Sequence, residues 1–208
     1  MKYDGIIFDL DGTMWDATNA ISISWNMAVK EFKELEGRKI TDEELQGVMG
    51  LPMDEIAEKL FPSLNKEMQL KVLEKCCEVE NNYLTVHGGR LYPELEPTLE
   101  YLSDSYKLFI VSNGQSGYIQ SFLNAHNLGK YFTDYCSWGD NKVPKGENNK
   151  LIIKRNNLKN AIYVGDTLKD QMSAEYAGIP FVYAKYGFGK AEKYDYAIDT
   201  FSDLKKIF

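Results

Sequence analysis

The chain has 208 residues, 44% hydrophobic and 26% charged, with a formal net charge of -7. Those proportions exclude a largely disordered chain, and the acidic balance excludes a protein that grips nucleic acid through a basic face. The length suits one core domain carrying a smaller inserted unit.

Three cysteines, two of them adjacent (Cys76 and Cys77), make neither a disulfide framework nor a CxxC metal pattern. Buried or half-buried thiols in a reducing compartment are expected, which places the protein in the cytoplasm. The first twelve residues carry charges too close to their short apolar run for a signal peptide, and no stretch reaches membrane-spanning length. A membrane partner is not expected.

In chain order, residues Asp4 to Asp9 form an apolar run ending in an acid, the pattern of a strand buried on both faces of a parallel sheet. A long stretch with helical periodicity follows. Ile21, Trp25, Ala28, Phe32 and Leu35 share one helical face, with Gly37 as a stop. Thr41 and Glu44 have the spacing of a capping box, Gly50-Leu51-Pro52 breaks the chain, and Ile56 and Leu60 mark a further short helix. A longer helix is predicted from about Lys66 to Tyr83, ending before His87-Gly88-Gly89.

Strand runs recur at Leu108–Ser112, Ala161–Gly165 and Ile179–Ala184, separated by helical patterns at Gly117–Asn127, Asn148–Asn156 and Thr167–Ala177. Tyr194–Phe208 can supply a last strand and a closing helix. This alternation predicts an α/β fold: a doubly wound, Rossmann-like parallel sheet, residues 1–15 and 91–208, with an inserted helical cap domain, residues 16–90. In such sheets ligands sit beyond the carboxyl ends of the strands, so the polar residues ending these runs are expected to converge.

Asp9 and Asp11 project to the same side if the chain stays extended, and Gly12 permits a sharp turn close to a ligand. An Asx-turn or helix cap is the plainer explanation of such a string. Ser112, Asn113 and Gly114 offer a hydroxyl and N–H groups for phosphate oxygens, or a simple N-cap. Lys145 stands just before a helix, where it can neutralise a phosphate, with Lys142 as its rival. Asp166 ends a strand, and Asp170 four positions on can face the same crevice or cap the helix.

Taken together and in this order, these four motifs resemble the haloacid dehalogenase-like phosphatase superfamily over the whole chain. The early helical insert looks like the cap of the subgroup containing phosphoglycolate phosphatase and β-phosphoglucomutase. The resemblance implies a phosphatase that releases a small phosphorylated metabolite's phosphate through an aspartyl-phosphate intermediate. Asp9 matches the nucleophile, Asp11 the general acid/base, Ser112 the phosphate binder and Lys145 the motif III lysine. Here Lys145 is followed by Gly146 and Glu147, where many relatives carry prolines. Asp166 matches the magnesium ligand together with Asp9 and the main-chain carbonyl of Asp11, and Asp170 supports the metal or orients the site.

A hard cation with oxygen ligands offsets the repulsion between carboxylate and phosphate, so Mg²⁺ is the expected cofactor. His87 and His126 lack a metal-binding spacing, which argues against zinc. Trp15 and Gly50 are the candidates to touch the leaving group; packing at the hinge is the alternative for Trp15. Arg38 and Lys59 are candidates to hold a sugar phosphate in a mutase, and Gly88-Gly89 is a candidate hinge. A dehalogenase is disfavoured because Asp11 is present, and a non-catalytic phosphate-binding protein because Asp9, Asp11 and Asp166 are all retained.

Overall fold

The computed structural model describes residues 2–49, 51 and 53–208, with the backbone alone at Met53 and Asp54. In chain order the first elements are β1 (Gly5–Phe8), β2 (Trp15–Asp16), α1 (Thr18–Val29), α2 (Asp42–Gln46), α3 (Met53–Leu60), α4 (Lys66–His87) and β3 (Arg90–Leu91). Next come α5 (Leu95–Ser103), β4 (Lys107–Ser112), α6 (Tyr118–His126), β5 (Phe132–Ser137), α7 (Trp138–Asn141) and α8 (Lys145–Arg155). The chain closes with β6 (Ala161–Gly165), α9 (Leu168–Ala177), β7 (Phe181–Ala184), β8 (Tyr196–Ile198) and a 3₁₀ turn at Phe201–Lys206.

The main sheet has the strand order β5-β4-β1-β6-β7-β8, every pair parallel. Side chains alternate between its two faces, and both faces are buried. Ile6 and Phe8 join a core with Leu108, Ile110, Ile162 and Val164, whereas Ile7 joins Phe109, Val111 and Tyr163 on the other side. This is the doubly wound architecture expected, and its crossovers run outward on the two sides of β1.

Helices α1 to α4 all lie between β2 and β3, which pair antiparallel with Trp15 opposite Leu91 and Asp16 opposite Arg90. The chain thus leaves the sheet and returns to it through one short ribbon. Within the helical unit α1 packs on α4, and Trp25 stacks on Phe61 with ring centroids 6.4 Å apart. Helix α4 also packs on α6, where Asn81 Nδ2 donates to the Ser116 carbonyl at 2.8 Å.

Helix α8 begins at Lys145, three residues before the expected Asn148, and two further helix limits differ from expectation. Helix α1 stops at Val29; Phe32 is extended, and Lys33–Leu35 form a 3₁₀ turn that still buries Leu35 in the same core. Helix α4 runs one turn beyond Tyr83 to His87 and ends at Gly88, whose φ of +67° suits glycine. Strands β2, β3 and β5 and helices α5 and α7 are additional to the predicted elements. No helix among the described residues is long and apolar enough to cross a membrane.

Candidate active site

Register explains why the motif residues meet. Phe8 lies between Ile110 of β4 and Val164 of β6, so Asp9, Ser112 and Asp166 fall within two residues of one level at the carboxyl end of the sheet. Asp9 stays tied to the sheet by its N–H, which donates to the Val164 carbonyl at 2.8 Å. The chain then turns at Gly12, with φ at +80°. A Cβ there would stand 2.2 Å from Asp166 Oδ2, so glycine lets the loop reach the carboxylate.

Lys145 is the first residue of α8 and is 7% exposed. Its Nζ donates to Asp9 Oδ1 at 2.7 Å and to Asp170 Oδ1 at 2.8 Å. Lys142 is exposed and sits over the Trp138 ring, 4.1 Å from its centroid. The structure therefore brings Lys145 to the carboxylates and leaves Lys142 outside.

Asp170 is the third residue of α9 and closes a capping box with Thr167, whose Oγ1 and N–H donate to its Oδ2 at 2.6 and 3.0 Å. Tyr163 donates to its other oxygen at 3.2 Å. Burial works against the Asp170 carboxylate, but Lys145 more than offsets it and holds the group below its ordinary range.

Asp166 has no such cation. Its Oδ2 accepts the Phe188 N–H at 2.7 Å, and the Thr13 hydroxyl lies 3.4 Å from Oδ1. Burial, then the charges of Asp170 and Asp9, push its carboxyl well above normal. Burial and the charge of Asp170 also raise Asp9, to about 7, against the pull of Lys145.

One oxygen from each of Asp9, Asp166 and Asp170 lies within 4.8 Å of the others, and all three side chains are buried. Three hard oxygen donors with one lysine among them fit a divalent cation such as Mg²⁺. Neither histidine belongs to this cluster: His87 stacks on Tyr83, and His126 packs against Trp15 and Phe122.

Asp11 is held differently. Its Oδ1 accepts the Tyr118 hydroxyl at 2.6 Å and the Trp15 indole N–H at 2.9 Å, while burial raises its carboxyl to about 7. Trp15 is fully buried against Tyr118, Phe122 and His126 and does not line the cavity over the site. It sits at the joint, bonded to Asp11.

That cavity, about 50 Å³ and open on one side, is lined by Asp9, Asp11, Ser112, Asn113, Gly114 and Lys145 from the sheet side. Ser112 Oγ accepts the Gly114 N–H at 3.0 Å, which turns the strand end into a compact loop. From the helical side come apolar side chains, Met49 and Leu51 among them, and Glu80. Gly50 lies outside the described residues. Arg38 pairs with Glu44 and the Leu60 carbonyl, Lys59 is exposed, and neither lines the cavity.

Sequence reasoning missed Tyr118, Tyr163, Gln115 and Glu80. None sits in a motif. A glutamate within a helix of the periodicity of α4 reads as solvated surface, and only the packing of α1 on α4 reveals it as 3% exposed.

Residues 6–184 match the haloacid dehalogenase-like hydrolase family, and the chain belongs to it. Among curated relatives, a phosphoglycolate phosphatase of Aquifex aeolicus is 29% identical over 212 residues, covering 97% of this chain and 95% of its own. A solved haloacid dehalogenase-like hydrolase from Streptococcus pneumoniae superposes with a TM-score of 0.84 at 22% identity, over 100% of this chain and 99% of its own. A β-phosphoglucomutase from Clostridium difficile gives 0.77 at 18% identity, over 98% and 95%. The chain is thus a haloacid dehalogenase-like enzyme, and its curated relatives are phosphatases.

Proposed function

We propose that the chain is a Mg²⁺-dependent phosphatase that hydrolyses a small phosphate monoester through an aspartyl-phosphate. The observation that carries this reading is Asp9, at the end of β1, bonded to Lys145 and clustered with Asp166 and Asp170 under a cavity lined by Ser112. A carboxylate used as a nucleophile toward a phosphate dianion needs concentrated positive charge around it.

In the proposed sequence, a carboxylate oxygen of Asp9 attacks phosphorus and the bond from phosphorus to the ester oxygen breaks. Asp11 supplies a proton to the departing alkoxide, which leaves as the neutral alcohol. The same carboxylate then takes a proton from water, whose oxygen attacks phosphorus. The phosphorus–Asp9 bond breaks, releasing inorganic phosphate and restoring Asp9. Trp15 and Tyr118 fix Asp11 in place for both transfers. Lys145 balances the charge of Asp9, and Ser112 with the Asn113-Gly114 backbone faces the phosphoryl oxygens. Asp9, Asp166 and Asp170, with the main-chain carbonyl of Asp11, would hold Mg²⁺, which when bound neutralises phosphate charge.

The helical unit, residues 16–90, serves in this reading as a cap over the core, residues 1–15 and 91–208. Gly88 and Gly89 lie on its return path. A Cβ at Gly89 would stand 2.8 Å from the Trp15 ring, which ties this joint to the side chain that holds Asp11.

The test is phosphate release from p-nitrophenyl phosphate with Mg²⁺, with EDTA, and by Asp9→Asn. Release that needs Mg²⁺ and disappears in a folded Asp9→Asn protein is expected. Turnover surviving either change would refute the mechanism.

A further inference from the structure

The helical side of the cavity has an unusual composition for a site that handles anions. Ile21, Trp25, Leu45, Val48 and Ile56 make an apolar wall, and the charged residue in that wall is Glu80 of α4. Glu80 is 3% exposed, and both of its oxygens are held: the Trp25 indole N–H donates to Oε2, and Gln115 Nε2 donates to Oε1 at 2.8 Å. Trp25 belongs to the helical unit and Gln115 to the loop after β4, so the carboxylate is fixed from both sides of the cavity.

A group held this way is preorganised and cannot swing aside from an unfavourable ligand. Each of its oxygens keeps a lone pair beyond the one already used. Among the described lining residues the cation is Lys145, and it is committed to Asp9 and Asp170. The charge of Glu80 is felt by Asp11 and Tyr118 on the core side and by Cys76 and Cys77 in α4, and its own carboxyl is set by burial against the hydrogen bonds of Gln115 and Trp25.

We infer that Glu80 selects the leaving group: the site takes phosphate monoesters of small alcohols bearing a hydrogen-bond donor, hydroxyl or ammonium, and rejects those bearing a carboxylate. The inference rests on the phosphatase reading and narrows its substrate class. A second carboxylate on the substrate would meet a fixed carboxylate in an apolar wall with no uncommitted cation among the described lining residues, and like charges brought together in such surroundings are strongly discriminated against. A hydroxyl or ammonium meets an acceptor already in place.

Three esters of nearly equal size separate the cases: 2-hydroxyethyl phosphate, phosphoethanolamine and phosphoglycolate. They are compared at pH 8, where Glu80, raised by burial to about 7, is ionised. The expected kcat/KM for the better of the first two exceeds that for phosphoglycolate at least tenfold, and which of the two leads tells hydroxyl from ammonium. In Glu80→Gln the advantage over phosphoglycolate shrinks at least fivefold. Phosphoglycolate equal or preferred in the wild-type protein, or an unchanged ratio in a folded Glu80→Gln, overturns the inference.

Failure of the phosphatase reading shows separately, as no phosphate release from p-nitrophenyl phosphate. In that event calorimetric binding of the same three esters decides. Tighter binding of a donor-bearing ester supports the selection, and equal or tighter binding of phosphoglycolate removes it.

Discussion

Lys145 and Lys142 are three residues apart, and the structure treats them in opposite ways. Lys145 is buried between two carboxylates, and the charges of Asp170 and Asp9 raise its pKa against a burial effect that lowers it. Replacing it with methionine keeps the volume but leaves like charges unpaired in the interior, a change that costs about 3–5 kcal/mol. Lys145→Met is therefore expected to lower the urea midpoint by that equivalent and to abolish turnover. Lys142→Ala, which removes an exposed cation–π contact, should cost about 0.5–1 kcal/mol and leave kcat/KM unchanged. Equal effects of the two changes would show that the bonds at Lys145 carry no weight. Glu80 gives a prediction in pH. Its folded pKa, about 7, lies above the usual 4.5, so the folded state binds the extra proton between those values. Stability then falls as pH rises from 4.5 to 7, by up to about 3 kcal/mol from this group. Glu80→Gln should flatten that part of the stability profile, and an identical slope in the two proteins would contradict the assignment.

At the scale of elements, Thr167 shows how a cap can also be part of a site. Its hydroxyl and N–H both reach Asp170, and the Asp170 N–H returns toward Thr167 Oγ1 at 3.3 Å. Thr167→Ala should cost about 1 kcal/mol in denaturant unfolding, with a fall in kcat because Asp170 loses a donor beside Lys145. A stability loss with kcat unchanged would make the box purely structural. The strand-end motifs at Asp9, Ser112 and Asp166 were legible before the structure because a parallel sheet places its chemistry where buried apolar runs stop, whereas Lys145 opens a helix. Thr41 and Glu44 form their capping box as the spacing indicated. Other features were not legible, for reasons of tertiary packing. The 3.6-residue pattern continues through Phe32 and Leu35 because a 3₁₀ turn buries Leu35 in the same core that the helix would have reached. Strand β5 escaped notice because Phe132–Ser137 has only its end buried, unlike the continuous runs of β1 and β6. Trp15 and Tyr118 come together on Asp11 from positions about a hundred residues apart, and no local pattern encodes that meeting.

At the scale of the whole molecule, the sheet brings Asp9, Asp166 and Asp170 together at the cost of mutual repulsion. Asp166 bears most of it, since the hydrogen bonds of Phe188 and Thr13 are its compensation and Lys145 is bonded to the other two. A fold that concentrates charge in this way is less stable than it could be until a cation enters, which is the usual relation between a site and its scaffold. Two consequences have opposite signs in one variant. On the proposed reading Mg²⁺ binds the folded chain and not the unfolded one, so at a hundred times its dissociation constant it should add about 2.7 kcal/mol, roughly 5–10 °C in melting temperature for a chain of this size. Asp166→Asn removes a buried like charge while keeping an acceptor for the Phe188 N–H. Without metal it should therefore melt at or above the wild-type temperature, and adding Mg²⁺ should move it by no more than a degree or two. Thermal melts of both proteins in EDTA and in saturating Mg²⁺ check this without any substrate. A variant that melts lower in EDTA yet still gains the full Mg²⁺ shift would mean that Asp166 supports the fold and the cation binds elsewhere.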